Sequence, residues 1–465
     1  MPDDRPNILF LTTDQQRFDC LGINSGGTIH TPHLDALARH GANLRGFFVN
    51  NAVCMPSRAS LLTGRYPQNH GVGTNGIPLP ETETTIAHAL GQAGYTTANL
   101  GKLHFLPHVD RDHTAPHPSY GFDVHVNSDE PGCYPDAYIR WLRQVAPEME
   151  QKCRVPRPSV EPRSPLDQWV FEAPEELSHT AWVADRTIEF IHQQGERPWF
   201  AIAGFYPPHP PCNAPQHYLD LYPTESIPPP LRREGEMADK PRMFQRMAQH
   251  WANVTDEQWL ECRRYYYAMC SLVDAQCGRI IETLRERGQL DNTLIVYYSD
   301  HGDLRGDHGL VSKHPSNYDG IIHVPCFLRW PGHIPAGRLA DGLVEGVDLM
   351  PTVLEAVGAD IPAGVKGTSA WALAAGETDA GRDSVLVEHK VPGAACIKTL
   401  RTRAHKYWLN DQGEEVLFDL DADPDEFVNV ARDPAYASVR SSVRGRLLER
   451  LIHAADDLPG QIAPY

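Results

Sequence analysis

The chain of 465 residues has no excess of basic residues, because 42 lysines and arginines face 60 aspartates and glutamates, which leaves a formal net charge of −18. Nucleic acids are bound through basic surfaces, so this balance excludes a nucleic-acid partner. The sequence also has no apolar run long enough to cross a membrane, and residues 8–11 are too few for the apolar core of a signal peptide. We therefore expect no membrane partner and a cytoplasmic location.

The ten cysteines show neither the Cys-x-x-Cys spacing of a zinc site nor the density of a disulfide framework. We interpret them as reduced thiols, in agreement with a cytoplasmic location. Internal repeats and low-complexity tracts are also missing, and a content of 41% apolar and 22% charged residues is typical of a globular protein. The sequence leaves the oligomeric state open, a homo-oligomer included.

The order of predicted elements indicates an α/β fold in two parts. The continuous apolar run at residues 7–13 is typical of a strand that is covered on both faces of a parallel sheet. A capping box at residues 255–258 opens the clearest helix. We predict a large mixed, mostly parallel sheet flanked by helices in residues 1–375, and a small antiparallel sheet with one helix in residues 376–465. Further strands are expected at 43–49, 95–100, 199–205 and 294–298, and proline-rich surface excursions at 147–176 and 207–242.

Polar residues follow four of the predicted strands where each strand ends. In an open parallel sheet the carboxyl ends of the strands meet at one crevice, so side chains far apart in sequence converge there. One such residue is usually structural, whereas groups at four strand ends indicate a site. These residues are Asp14 and Gln15, Lys102 and His104, His209, and Asp300 and His301, with Lys313 in the loop after the last strand.

Residues 54–65 read Cys-Met-Pro-Ser-Arg-Ala-Ser-Leu-Leu-Thr-Gly-Arg, which predicts a helix that begins near Pro56 and ends at Gly64. Cys54 then lies at the positive end of the helix, where anions are stabilised and thiols ionise more easily. A lone buried cysteine is most often a small apolar residue. The whole stretch, however, resembles the signature of type I sulfatases, arylsulfatase-like members of the alkaline phosphatase superfamily in which this cysteine becomes formylglycine. Met55 departs from it, since a smaller residue is usual there.

The resemblance extends from residue 6 to Asn429 and implies a set of site residues. Two of them depart from the family pattern, because Gln15 stands where Asp is frequent and His301 where Asn is frequent. Oxygen ligands suit Ca²⁺, whereas a nitrogen ligand favours transition ions. The resemblance implies a single divalent cation, with Ca²⁺ as the first choice and Mn²⁺ or Mg²⁺ as alternatives. The implied metal ligands are Asp14, Gln15, Cys54, Asp300 and His301, and the implied sulfate-binding residues are Arg58, Lys102, His104, His209 and Lys313.

The resemblance further implies hydrolysis of small-molecule sulfate monoesters by S–O cleavage, after maturation by a formylglycine-generating enzyme as partner. In this mechanism hydrated formylglycine at position 54 attacks sulfur, and His209 or Lys313 protonates the leaving alcohol. His104 then takes a proton from the second hydroxyl, so that sulfate leaves and the aldehyde forms again. Arg58 orients residue 54.

Two alternatives stay open. Phosphonate monoester and phosphodiester hydrolases share the nucleophile and the Asp-Gln plus Asp-His set, but tend to carry Cys-x-Pro-Ala-Arg instead of the Cys-x-Pro-Ser-Arg found here. A non-catalytic anion-binding protein would keep Cys54 as a thiol. Asn75, in a glycine-rich turn, is a candidate substrate contact. We interpret Asp303, Asp307 and His308 as a solvated loop, with a second metal site as the alternative.

Overall fold

The computed structural model describes residues 5–108, 115–132, 134–155, 164 and 166–455, so parts of the predicted excursion at 147–176 and the end of the C-terminal part lie outside it. The strands are β1 Asn7–Thr13, β2 Ala42–Leu44, β3 Phe47–Phe48, β4 Thr96–Gly101, β5 Val124–Asn127, β6 Gln168–Val170, β7 Trp199–Gly204, β8 Cys212–Ala214, β9 Thr293–Ser299, β10 Cys326–Arg329, β11 Arg338–Ala340, β12 Val344–Glu345, β13 Val385–Val391, β14 Ala395–Arg401, β15 His405–Asn410 and β16 Glu415–Asp419. The α-helices are α1 Gly22–Ser25, α2 Pro32–Arg39, α3 Cys54–Thr63, α4 Pro67–His70, α5 Ile86–Gln92, α6 Ala137–Val145, α7 Glu150–Cys153, α8 His179–Gln193, α9 Gln216–Leu219, α10 Arg242–His250, α11 Asp256–Glu286, α12 Asp319–Ile322, α13 Leu349–Ala356, α14 Trp371–Ala374 and α15 Ala437–Ala455.

Eight strands form the main sheet, in the order β11-β2-β10-β9-β1-β7-β4-β5. The strands β9, β1, β7, β4 and β5 are parallel to one another, as are β2 and β11, whereas β10 runs antiparallel to both β9 and β2. The prediction of a large mixed, mostly parallel sheet is thus confirmed. The strands β9, β1, β7 and β4 of the parallel half have their carboxyl ends side by side.

Helices cover both faces of this sheet, which explains why its central strands are continuously apolar. In β1, Ile8 and Phe10 contact one hydrophobic core, whereas Leu9 and Leu11 contact the other, and all four are fully buried. Residues of α3, α5 and α13 line the first core, and residues of α2, α8 and α11 line the second. A strand buried on both faces cannot alternate apolar with polar residues.

The C-terminal sheet is antiparallel in the order β13-β14-β15-β16. One face, with Val387 and Trp408, joins the first core of the main sheet, and the other, with Leu400 and Tyr407, is covered by α15. The predicted small antiparallel sheet with one helix is therefore confirmed. The division of the chain near residue 375 stays a prediction.

Two segments differ from the expectations. The strand predicted at 43–49 is interrupted, because β2 pairs within the main sheet and β3 pairs with β12 in a separate sheet. The step between them is at Gly46, where a Cβ would lie 2.5 Å from the carbonyl oxygen of Gly342. The excursion at 207–242 contains β8, which pairs with β6. Among the described residues, no helix combines the length and the apolar character needed to cross a membrane.

Candidate active site

The predicted polar residues meet because the four strand ends are in register. Thr13 of β1 is paired with Ser299 of β9, and Gly101 of β4 is paired with Gly204 of β7. Since β1 lies between β9 and β7, the residues that follow these positions lie at one edge of the sheet. They are Asp14 and Gln15 after β1, Lys102 and His104 after β4, His209 after β7, and Asp300 and His301 after β9.

Helix α3 delivers Cys54 to this edge. The helix begins at Cys54 and ends at Gly64, whose φ of 65° is the left-handed conformation that favours glycine. The thiol is fully buried, and its Sγ lies 3.1 Å from Nε2 of His301 and 2.8 Å from Nζ of Lys313. Burial and the Asp14 carboxylate oppose ionisation, but Lys313 and His301 outweigh them and lower the pKa of Cys54.

Arg58, one turn further along α3, connects the two carboxylates of the site. Its Nε donates to Oδ2 of Asp300 at 2.7 Å, and one of its terminal nitrogens donates to Oδ2 of Asp14 at 3.3 Å. Another terminal nitrogen donates to the carbonyl oxygen of Lys102 at 3.2 Å. Burial disfavours the guanidinium charge, but Asp300 and Asp14 raise the pKa of Arg58 above its usual value.

Lys102 forms the second cationic contact of Asp14. Its Nζ lies 2.8 Å from Oδ2 of Asp14 and 5.0 Å from the centre of the Tyr206 ring. Burial would raise the pKa of the Asp14 carboxyl, but Lys102, followed by His209, Arg58 and Lys313, holds it well below its usual value. Asp14 is therefore a carboxylate in this site.

Four buried side chains form a group that could hold a cation. One ligand atom from each of Asp14, Cys54, Asp300 and His301 lies within 4.8 Å of all the others. Nδ1 of His301 lies 2.9 Å from the carbonyl oxygen of Gly302, so in the neutral ring Nδ1 donates to this carbonyl and Nε2 would offer its lone pair to a cation. In the absence of a cation, burial lowers the pKa of His301, but Asp300, followed by Cys54, raises it above its usual value. This donor set of two carboxylates, one imidazole and residue 54 fits a divalent cation.

Lys313 connects Cys54 to His209. Nζ of Lys313 is 3.1 Å from Nε2 of His209, whose Nδ1 is 2.6 Å from the carbonyl oxygen of Pro210. This arrangement fits an imidazole that donates from Nδ1 and accepts from Lys313 at Nε2. Burial, followed by the charge of Lys313, lowers the pKa of His209 well below its usual value.

His104 and Asn75 lie beside these groups. The backbone N–H of His104 donates to Oδ1 of Asp129 at 2.7 Å, and its ring stacks on His108 at 4.1 Å between ring centres. Its Nδ1 is buried without a hydrogen-bond partner in the described part of the chain. Oδ1 of Asn75 accepts from the backbone N–H of Met55 at 3.0 Å, so Asn75 fixes the start of α3. Its role as a substrate contact stays a prediction.

Comparison with known proteins identifies the family. A family model described as Sulfatase matches residues 6–359, which is most of the chain. The chain belongs to the sulfatase family. It is therefore a sulfuric ester hydrolase, as the signature around Cys54 predicted. A second family model, described as the C-terminal part of N-sulphoglucosamine sulphohydrolase, matches residues 306–453.

Relatives span nearly the whole length of this sulfatase. An arylsulfatase of Clostridium perfringens is 31% identical over 96% of this chain and 94% of its own. The multifunctional alkaline phosphatase superfamily protein PehA of Trinickia caryophylli is 30% identical over 97% and 96%. Among solved structures, a phosphonate monoester hydrolase of Agrobacterium radiobacter has a TM-score of 0.86 and 28% identity over 97% of this chain and 96% of its own.

The interpretation of Asp303, Asp307 and His308 as a solvated loop was wrong, because all three are buried. Asp307 pairs with Arg17 at 2.7 Å and with Arg263, and the His308 ring stacks on Tyr318 at 3.9 Å between centres. Two arginines thus satisfy Asp307, which argues against a second metal site there. The polar sequence of this loop gave no sign of the partners that other segments supply.

Two acidic residues of the site region were missed altogether. Asp129 and Glu130 follow β5, which is parallel to β4 at the same edge of the sheet. Both lie within 3.5 Å of the His108 ring nitrogens, and both are buried. The signal was the alternation of apolar and polar residues at 124–127, which is typical of a half-buried strand and leads into the acidic residues, but a run of four residues is short for a strand.

Proposed function

We propose that residues 1–375 hydrolyse sulfate monoesters by S–O cleavage through a formylglycine derived from Cys54 and one divalent cation, and that residues 376–465 form a C-terminal subdomain. The observation that carries the proposal is the position of Cys54 at the first residue of α3, between an acidic group and Lys313. A thiol that only filled the core would not need this surrounding of buried charges.

In this proposal Asp14, Gln15, Asp300, His301 and residue 54 hold the cation, with Ca²⁺ as the first choice and Mn²⁺ or Mg²⁺ as alternatives. When bound, the cation supplies Lewis acidity and positive charge at the ester oxygens, and hydrated formylglycine supplies a nucleophilic hydroxyl. Arg58 holds the two carboxylates at fixed positions. Its three hydrogen bonds to Asp300, Asp14 and the Lys102 carbonyl support a positioning role.

We propose that Lys313 or His209 donates the proton that the leaving alcohol requires. Their nitrogens are 3.1 Å apart, so a proton can pass between Nζ and Nε2. Lys102 and Lys313 add positive charge around residue 54, which stabilises an anionic ester in a buried site. His104 is proposed as the base for the second hydroxyl, since its Nδ1 has no hydrogen-bond partner among the described residues.

The test starts with residue 54. Co-expression with a formylglycine-generating enzyme should lower the mass of the Cys54 peptide, as expected for an aldehyde, and should raise the turnover of an aryl sulfate. Cys54→Ala should be inactive in the same preparation. Full activity in a protein without an aldehyde at position 54 would contradict the proposal.

Phosphonate monoester or phosphodiester hydrolysis is the second candidate function. The high structural similarity to a phosphonate monoester hydrolase favours it, as does the Asp14-Gln15 and Asp300-His301 set. The measurement is kcat/KM for a sulfate monoester and for the phosphonate monoester with the same leaving group. We expect the higher value for the sulfate. The reverse order across several leaving groups would assign the second activity, with fold and nucleophile unchanged.

A further inference from the structure

Gln15 has an unusual backbone conformation, and one polar atom of its side chain has no hydrogen-bond partner among the described residues. Its φ of 69° lies in the left-handed region, which is uncommon for a residue other than glycine. Its backbone N–H donates to Oδ1 of Asp300 at 2.9 Å, and its carbonyl oxygen accepts from the Tyr266 hydroxyl at 2.5 Å. Its side-chain Oε1 is buried without a hydrogen-bond partner in the described part of the chain. A buried amide oxygen without a partner is costly unless a ligand completes it.

Asp303 determines which end of the Gln15 amide makes hydrogen bonds within the described part of the chain and which end does not. The Nε2 group of Gln15 donates to Oδ2 of Asp303 at 2.5 Å and to Oγ of Ser312 at 3.0 Å. An ionised carboxylate only accepts hydrogen bonds. It therefore attracts the NH₂ end of the amide, and the oxygen must point the other way.

Asp303 itself is fixed and has no exposed surface. Its Oδ1 accepts from the backbone N–H groups of Arg305 at 3.0 Å and Ser312 at 2.7 Å. A terminal nitrogen of Arg305 lies 3.0 Å from Oδ2 and compensates the buried charge, and the guanidinium lies 4.6 Å from the centre of the Tyr266 ring. The same carboxylate thus holds Gln15 and the residue before Lys313.

We propose that Asp303 is a positioning residue that orients the Gln15 amide so that Oε1, and not the NH₂ group, faces the cation. This inference rests on the proposed metal site. Partners that orient a metal ligand typically change the affinity for the metal by 10–100-fold when they are substituted. No contact between Asp303 and the cation is required.

The test uses Asp303→Asn in the full-length, metal-stripped protein, with Mn²⁺ alone as the probe and electron paramagnetic resonance to count free Mn²⁺. The two backbone N–H groups cannot turn away, so they keep the oxygen of the new amide at the position that Oδ1 has in the wild type. The NH₂ of this amide then faces the Gln15 NH₂, and the Gln15 amide turns over. We expect Mn²⁺ binding to weaken by about 10–100-fold.

A second substitution should reverse this loss. In Asp303→Asn with Gln15→Glu, one oxygen of the new carboxylate at position 15 accepts from the new amide NH₂ at position 303, and the other faces the cation. The total charge is unchanged, and we expect affinity at or above that of the wild type. Asp307→Asn is the matched control, because Asp307 is buried in the same loop but is bound to arginines. It should lower stability without changing Mn²⁺ affinity.

The outcomes separate this inference from the proposed function. Equal Mn²⁺ affinity in the wild type and Asp303→Asn would overturn the role of Asp303 alone. Equal loss in the single and double variants would also overturn it, because a general folding defect is not repaired by Gln15→Glu. If Asp303→Asn does not fold, the double variant still decides, since binding at wild-type affinity supports the orientation and weak binding refutes it. If the wild type binds neither Mn²⁺ nor, by calorimetry, Ca²⁺, the proposed metal site itself is overturned; if it binds Ca²⁺ alone, the same variants are compared with Ca²⁺ as the probe.

Discussion

Arg58→Met tests how the two carboxylates of the site are stabilised. Methionine is close to arginine in length but carries no charge. In the variant Asp14 keeps Lys102 at 2.8 Å, whereas Asp300 loses the guanidinium contact at 2.7 Å. The backbone N–H of Gln15 at 2.9 Å then remains for Asp300. The substitution therefore leaves a buried carboxylate without its nearest cation.

The size of the effect follows from the burial of the pair. Two unit charges about 4 Å apart interact by about 4 kcal/mol at an effective dielectric constant of about 20. Breaking a buried ion pair from one side typically costs about 3–5 kcal/mol, because the remaining charge is uncompensated. We expect a loss of this size in the free energy of unfolding when EDTA is present. A divalent cation beside the same carboxylates should recover much of it.

The assay is urea unfolding followed by tryptophan fluorescence, in EDTA and in excess Mn²⁺. Arg263→Met is the matched control. Arg263 lies on α11, is buried and pairs with Asp307, and it is not part of the cation group. Both variants should be destabilised in EDTA, but Mn²⁺ should rescue Arg58→Met alone. Equal unfolding midpoints of Arg58→Met and the wild type in EDTA would refute the charge-pairing argument.

Three further predictions follow from other contacts. Lys313→Ala should lower kcat/KM for an alkyl sulfate much more than for nitrophenyl sulfate, because nitrophenolate leaves without a proton; equal losses would contradict this. Elemental analysis should find one divalent cation per active chain and none in Asp300→Ala, whereas two would indicate a two-metal site. Burial raises the pKa of Asp274 to about 7. The protonated form thus favours folding, and stability falls as the pH rises from about 4 through 7. In urea unfolding, Asp274→Asn should therefore gain about 3 kcal/mol relative to the wild type between pH 5 and 8. A pH-independent difference would contradict this.

Much of the fold was predictable because the central strands are buried on both faces. The run at 7–13 corresponds to β1, and the capping box at Thr255 starts α11 as expected. The interruption of the strand predicted at 43–49 was not predictable. It depends on the approach of Gly342 to Gly46, which is distant in sequence, and no local signal reports such a contact.

The convergence of the site residues was predictable from strand ends, whereas the partners that orient them were not. Asp14 and Asp300 follow paired residues of neighbouring strands, so the topology alone brings them together. Asp303 lies in a polar loop, and its sequence resembles that of an exposed turn. Its burial depends on Gln15 and Ser312, which contact it only in the folded chain. The ends of strands can thus be predicted from local sequence, whereas hydrogen bonds between residues that are distant in sequence cannot.

The pairing of charges in the site also limits what can determine ester preference. Asp14 is paired with Lys102, and Asp300 is paired with Arg58, so these four groups nearly cancel. Lys313 and the proposed cation then supply the net positive charge, within a chain that carries −18 overall. Sulfate monoesters, phosphonate monoesters and phosphodiesters each carry one negative charge at neutral pH. The net charge of the site cannot distinguish among these esters. The preference must therefore come from the geometry around the sulfur or phosphorus atom and from how Lys313 and His209 protonate the leaving group.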